Sequence, residues 1–178
     1  NKPIKMHVSG EEWGLACNSL HFIDLFDSMN NYQDLKIVDA DLDPEALPAK
    51  REGFVEFTGN LSIASSNGAS LKLESSRGCF DGTIKIEIKN DEMSCDIVLF
   101  NGKLICTFHC KDEEWSESFK ITFQSYKTNR LVQDILIKKN IFLPSYQRSS
   151  YQHKLVFSVF ESHLMNKCGQ KTTGCPVT

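Results

Sequence analysis

No run of apolar side chains in this 178-residue sequence approaches the roughly 18 that a membrane-spanning helix needs. A transmembrane helix is therefore excluded. Charge of one sign is lacking too: 20 basic residues stand against 23 acidic ones, for a formal net charge of -3. A nucleic-acid binder gathers a basic excess on one face. Here the basic residues cluster only as the pairs Lys50-Arg51 and Lys138-Lys139, which argues against nucleic acid as a partner. No low-complexity tract, internal repeat or linker divides the chain, so a single domain over residues 1–178 is expected. Also missing are CxxC spacings, a glycine-rich phosphate loop and a paired-carboxylate motif. None of the five histidines (His7, His21, His109, His153, His163) sits in a catalytic signature, so the motifs point away from an enzyme. The sequence opens at Asn1 and not at a start methionine, which reads as a mature or excised fragment and leaves the compartment open.

Cysteine, by contrast, is present throughout. Cys17, Cys79, Cys95, Cys106, Cys110, Cys168 and Cys175 are scattered along the whole sequence. That distribution suits an oxidising compartment with two or three structural bridges, and the odd number leaves one thiol over. All seven are candidate disulfide partners, and the spacing leaves their connectivity open. Cys106 and Cys110 lie four residues apart in an expected strand, roughly 13 Å at the usual rise, too far to share a zinc ion. Asn60-Leu61-Ser62 is a glycosylation sequon, with Asn60 the acceptor. Together these features predict a secreted protein.

Period-two alternation dominates the patterning. Thr83-Ile84-Lys85-Ile86-Glu87-Ile88-Lys89 places three isoleucines on one face and charges on the other, the signature of a half-buried strand. Met93 to Phe100, Asn101-Gly102 and Lys103 to His109 read as a hairpin, because Asn-Gly tolerates the positive φ of a type I′ turn. Further strands are expected from Ile4, Leu35, Phe54, Leu61, Leu71 and Phe119, and at Leu131 to Ile137 and Leu155 to Val159. Leu20 to Met29 breaks the rule with apolar residues at helical spacing, and Ser19 is its expected N-cap. Asp43-Pro44 is expected to open a second, short helix. The predicted fold class is all-β: a two-sheet β-sandwich of about ten strands with one or two short helices.

Asp39, Asp41 and Asp43 invite a calcium reading, but Pro44 and Lys50 occupy the positions where an EF-hand loop needs glycine and glutamate. The plainer reading is a solvated strand end and a helix cap. A calcium-dependent, membrane-binding C2-like sandwich using these aspartates is the alternative function. Asp112, Glu113 and Glu114 form a second acidic group, suited to steering a basic partner. Alternation points Glu56 and Asp96 outward, and it leaves Val98 and Phe160 as apolar residues on outward faces, where an interaction patch would show.

Two stretches carry a resemblance. Cys17-Asn18-Ser19-Leu20-His21-Phe22-Ile23-Asp24-Leu25-Phe26-Asp27 and Glu74-Ser75-Ser76-Arg77-Gly78-Cys79-Phe80-Asp81-Gly82 resemble the SECRET domain. This is the C-terminal, chemokine-binding domain of poxvirus decoy TNF receptors, related to the viral CC-chemokine inhibitors. The resemblance implies a secreted β-sandwich that binds host chemokines and blocks receptor engagement, with no enzymatic activity, cofactor, metal or membrane contact. It also implies fusion, in the parent protein, to TNF-binding cysteine-rich repeats. Glu56, Asp96, Asp112, Glu113 and Glu114 are then the expected acidic chemokine contacts, with Val98 and Phe160 as apolar anchors. The long acidic loop of the CC-chemokine inhibitors has no counterpart here, so binding would fall to one sheet face.

Overall fold

A computed structural model describes residues 2–122, 124–138, 143–168 and 174–177. In chain order the elements are β1 (Lys5–Glu11), α1 (Leu15–Met29), β2 (Leu35–Leu42), β3 (Leu47–Pro48), β4 (Val55–Glu56), β5 (Gly59–Ser65) and β6 (Ser70–Ser76). There follow β7 (Thr83–Lys89), β8 (Met93–Phe100), β9 (Lys103–Cys110), β10 (Glu113–Lys120), α2 (Gln124–Gln133), a π-helical turn (Asp134–Lys138) and α3 (Tyr146–Cys168). Eight strands form one sheet in the order β10-β9-β8-β7-β1-β6-β5-β2, and β3 with β4 makes a separate two-stranded ribbon. All pairings in the large sheet are antiparallel except β1 with β6.

The fold is therefore mixed α/β, and the expected all-β sandwich is corrected. One sheet is covered by helices where a second sheet was expected. Met6, Val8, Leu61, Ile63, Leu71, Leu73, Ile84 and Ile86 form the covered face. Against them pack Leu15, Ile23 and Phe26 of α1 and Val156, Phe160 and Leu164 of α3. Each such fully buried side chain contributes about 1.5–3 kcal/mol. The other face, along β1, β6 and β7, presents Lys5, His7, Lys72, Lys85, Glu87 and Lys89 to solvent.

Strand alternation was a sound guide where a face is solvated and failed where a helix is. The hairpin forms as expected, with Asn101 at φ 47° and Gly102 at φ 74°. Leu155 to Val159, read as a strand, lies inside α3, and Leu131 to Ile137 lies in α2 and the π turn. Phe160 accordingly points inward and is fully buried, stacked on Phe57 at 5.1 Å. Ser19 is no cap: α1 starts four residues earlier, and Ser19 is buried within it. Residues 43–47 form no helix, and Asp43 instead accepts from Thr58 Oγ1 at 2.5 Å.

Cys17, Cys79, Cys95, Cys106, Cys110 and Cys175 are all free thiols in this fold. Burial pushes the thiols of Cys95 and Cys175 up to about 11. Cys168 closes α3, and its side chain lies outside the described residues. Asn60 sits within β5 between Asp41 of β2 and Glu74 of β6, and its Oδ1 is buried without a hydrogen-bond partner.

Candidate functional site

Parallel strands that feed helices or loops at one edge place their C-terminal ends together, and ligands of open α/β sheets bind outside such ends. Only one edge of this sheet has that character. Glu11 ends β1 beside Ser76, which ends β6, and the Glu12 N–H extends the pairing by donating to the Ser76 carbonyl at 2.9 Å. From there the chain turns sharply into α1. Glu12 takes φ 40° and Gly14 φ 82°, both left-handed, and such backbone clusters at functional sites. The turn is locked by Trp13, which is buried, donates from Nε1 to the Glu74 carbonyl at 2.7 Å and meets Phe22 edge-on. Asn18 Nδ2 donates to the Trp13 carbonyl at 2.7 Å.

The loop after β6 is held to the same edge. Glu11 accepts from the Cys79 N–H at 3.0 Å and Glu12 from the Gly78 N–H at 3.3 Å. Arg77 pairs with Asp43 at 3.4 Å and Glu45 at 3.2 Å, leaving Cys79 and Phe80 exposed on the loop.

A helix N-terminus offers unsatisfied N–H groups and a positive dipole end, a ready anion site. In α1 that site is filled from within the chain. Glu56 of β4 accepts from the N–H groups of Ala16 at 2.8 Å and Cys17 at 3.0 Å. Burial pushes its carboxyl up, against the opposing pull of these backbone bonds. A carboxyl held above its unfolded value favours the fold most at acid pH, and that contribution fades as pH rises through the folded value. Glu56→Ala is expected to destabilise by about 1 kcal/mol, as lost caps do, and to create an anion dependence. Phosphate should raise the melting temperature of the variant more than that of the wild type; equal responses would show that the carboxylate does not plug the site.

On α1, Leu15, Ala16, Ser19, Ile23, Phe26 and Asp27 face the core. Cys17 and His21, one turn apart, therefore share the outward face near the helix start. His21 is exposed and makes no hydrogen bond among the described residues. The other four imidazoles are engaged. His7 meets Glu74 at 3.3 Å, His109 lies between Asp96 at 3.3 Å and Glu114 at 3.2 Å, His153 meets the Ser149 carbonyl, and His163 meets the Asp43 carbonyl. The sequence reading missed His21: it began the helix at Leu20 behind a Ser19 cap, so Cys17 fell outside it, whereas α1 starts at Leu15.

The residues expected to bind chemokine are dispersed. Glu56 is half-buried under α1 and Phe160 lies in the core. Asp96, Val98 and Glu114 belong to the β8–β10 end of the open face, and Asp112 and Glu113 flank the turn into β10. Among the described residues no cluster of three or more His, Cys, Asp or Glu side chains has the geometry to hold a metal ion. Asp39 and Asp41 stand exposed on β2 and Asp43 is tied to Thr58 and Arg77.

No family model and no curated protein sequence matches the chain. Solved structures do match it. A mutant of KijD10, a 3-ketoreductase from Actinomadura kijaniata in complex with TDP-benzene and NADP, superposes at TM-score 0.57 and 14% identity, over 88% of this chain and 51% of that one. The dehydrogenase MviM from Clostridium difficile gives 0.59 at 12% identity, over 90% and 54%. A super-repressor mutant of Gal80p from Saccharomyces cerevisiae gives 0.56 at 13% identity, over 93% and 56%. The chain spans about half the length of these structures. Likeness at such identity fixes the architecture, and the architecture overturns the SECRET-domain resemblance. With it go the decoy function, the chemokine partners, the fused TNF-binding repeats and the C2-like alternative. The expectation that the chain is no enzyme loses its footing with that resemblance, because the fold is one that a 3-ketoreductase and a dehydrogenase also adopt.

Proposed function

We propose that this chain is the substrate-side half of an NAD(P)-dependent oxidoreductase that interconverts a secondary alcohol and its ketone. The observation that carries the proposal is His21. It is the one imidazole left without a partner among the described residues, and it lies on the exposed face of α1, about two turns past the left-handed turn that ends β1. Such a group gives or takes the proton at the substrate oxygen. Trp13, Asn18 and the loop held by Glu11 and Glu12 give that edge a fixed shape.

A dinucleotide does not fit the β1–α1 turn of this chain. Dinucleotide phosphates approach a glycine-flanked backbone at a helix N-terminus within consecutive parallel strands. Here Glu56 already occupies the N-terminus of α1. Gly10 offers no approach either, since even a Cβ there would lie 2.9 Å from the Thr83 carbonyl oxygen. The flanking β1–β7 pairing is antiparallel. The nucleotide belongs to another unit of the oxidoreductase, and this chain binds, orients and protonates the substrate.

Titrating NADP+ into the chain is expected to give no saturable binding up to about the millimolar upper end of ordinary enzyme affinities. A panel of secondary alcohols and ketones, followed by amide NMR, is expected to move signals of residues 12–21 and 77–80. Micromolar NADP+ binding centred on residues 10–17 would overturn the reading. So would a panel that leaves this edge untouched.

A further inference from the structure

The open face of the sheet carries a second feature, on the opposite side from the α1 and α3 layer. A cavity of about 310 Å³ lies over β1, β6 and β7, with Lys5, His7, Lys72, Glu87 and Lys89 among its lining. One wall is Val38, 54% exposed, pushed up where the β2–β5 register slips between Ile37 and Asp39. The register sets Lys5 directly opposite Lys89 on the antiparallel neighbour, and His7 opposite Glu87. On the parallel side His7 aligns with Lys72.

Two lysines facing each other across a strand pair repel, and Glu87, two residues from Lys89 on the same face, is the one carboxylate lining the cavity beside them. Neither Lys5 nor Lys89 makes an ion pair among the described residues. Lys72 differs: its Nζ meets Glu74 at 2.6 Å, and Glu74 also meets His7. With Lys72 paired to Glu74, Lys5 and Lys89 leave the cavity with two ammonium groups against the single carboxylate of Glu87, a net positive lining. Local rules of sheet pairing are broken mostly where a site gains from it.

We infer that this cavity binds a small organic phosphate of monosaccharide size, its phosphate held between Lys5 and Lys89. The phosphate supplies the counter-charge that the facing lysines lack, through charge-assisted hydrogen bonds. Glu87, across from His7, accepts a hydroxyl of the ligand body, and Val38 covers its apolar side. The volume is at the small end of the range for ligand sites, as suits a ligand of monosaccharide size. The site is separate from the α1 edge and does not depend on the oxidoreductase reading.

The test uses glucose 6-phosphate, with glucose and inorganic phosphate as controls, on the wild type and on the double variant Lys5→Gln/Lys89→Gln. Saturable amide shifts at residues 5, 7, 72 and 89 are expected with glucose 6-phosphate. Glucose should give none, and inorganic phosphate should bind more weakly than the sugar phosphate. The double variant should bind more than about 100-fold less tightly, as expected for losing two charged hydrogen bonds. Without ligand it should melt at the same temperature or higher, because it loses a repulsion, and this separates loss of binding from loss of fold. Absent shifts at these positions, equal responses to glucose, or undiminished affinity in the variant would each overturn the inference. Inorganic phosphate binding as tightly as the sugar phosphate would reduce the site to a bare anion contact and overturn it too.

Discussion

Asp27→Ala is expected to destabilise the fold by about 3–5 kcal/mol, the penalty for breaking a buried ion pair by deleting one partner. The Asp27 side chain is completely buried near the end of α1. Arg148 of α3 reaches it with two N–H groups, both at 2.5 Å, and also donates to the Gln33 carbonyl. Gln152 adds a further bond to Asp27 at 2.8 Å. The guanidinium lies 4.9 Å from the centre of the Tyr151 ring, whose hydroxyl accepts from the Leu35 N–H at 2.9 Å. The hydrogen bonds to the Asp27 carboxylate push the Arg148 guanidinium up. Removing Asp27 strands a cation that is only 17% exposed. Urea unfolding measures the loss, and a cycle with Arg148→Met separates the pair from its parts. If Asp27→Ala and Arg148→Met together cost as much as the sum of the two, the ion pair is not the source of the effect. Against a total stability of about 5–15 kcal/mol, a loss of this size is decisive.

Under the proposed function, His21→Asn is expected to lower kcat for the secondary alcohol by about 10²- to 10⁴-fold, the usual worth of a positioned acid–base group. Asparagine keeps a hydrogen-bonding side chain of similar reach but cannot carry the proton. Because His21 is exposed and without a partner among the described residues, stability should change little, within about 0.5 kcal/mol. Nucleotide affinity should be unchanged, since the nucleotide is assigned to another unit. Free imidazole in the buffer should restore part of the rate in a His21→Gly variant. A variant with wild-type kcat, or one that unfolds, would remove His21 from the chemistry.

The parts of this fold legible in the sequence are those whose cause is local. β7 shows its half-buried character in three alternating isoleucines, and the turn at Asn101-Gly102 shows its positive φ. The start of α1 was not legible, because its cap is not a neighbour: Glu56 reaches it from β4, some forty residues away, across the tertiary fold. The reading of Leu155 to Val159 as a strand has a different cause. Five residues of alternation fit either period, and the window was too short. Extended in both directions, the same stretch gives Gln152, Val156, Phe160 and Leu164, a four-residue repeat, and all four are buried on one side of α3. That stripe supplies the covering layer that a second sheet was expected to provide. Of the candidate site, the place of His21 in a helix was legible from the Leu20 to Met29 spacing. The emptiness of His21 was not, since it shows only once the partners of the other four histidines are known.

The placing of β1 governs how the sheet can be assembled. β6 and β7 are consecutive in the chain, joined by a short loop, yet they do not pair with each other. β1 lies between them, with Lys5 beside Ser70 on one flank and beside Lys89 on the other. Apart from that first strand, the pairings divide into two groups, β2-β5-β6 and β7-β8-β9-β10. Each closes through near-neighbour hairpins apart from β2 on β5, while the joining strand must find partners far along the chain. The two halves of the sheet are thus joined only through the sequence-distant pairings of the strand that leads into the helix carrying His21.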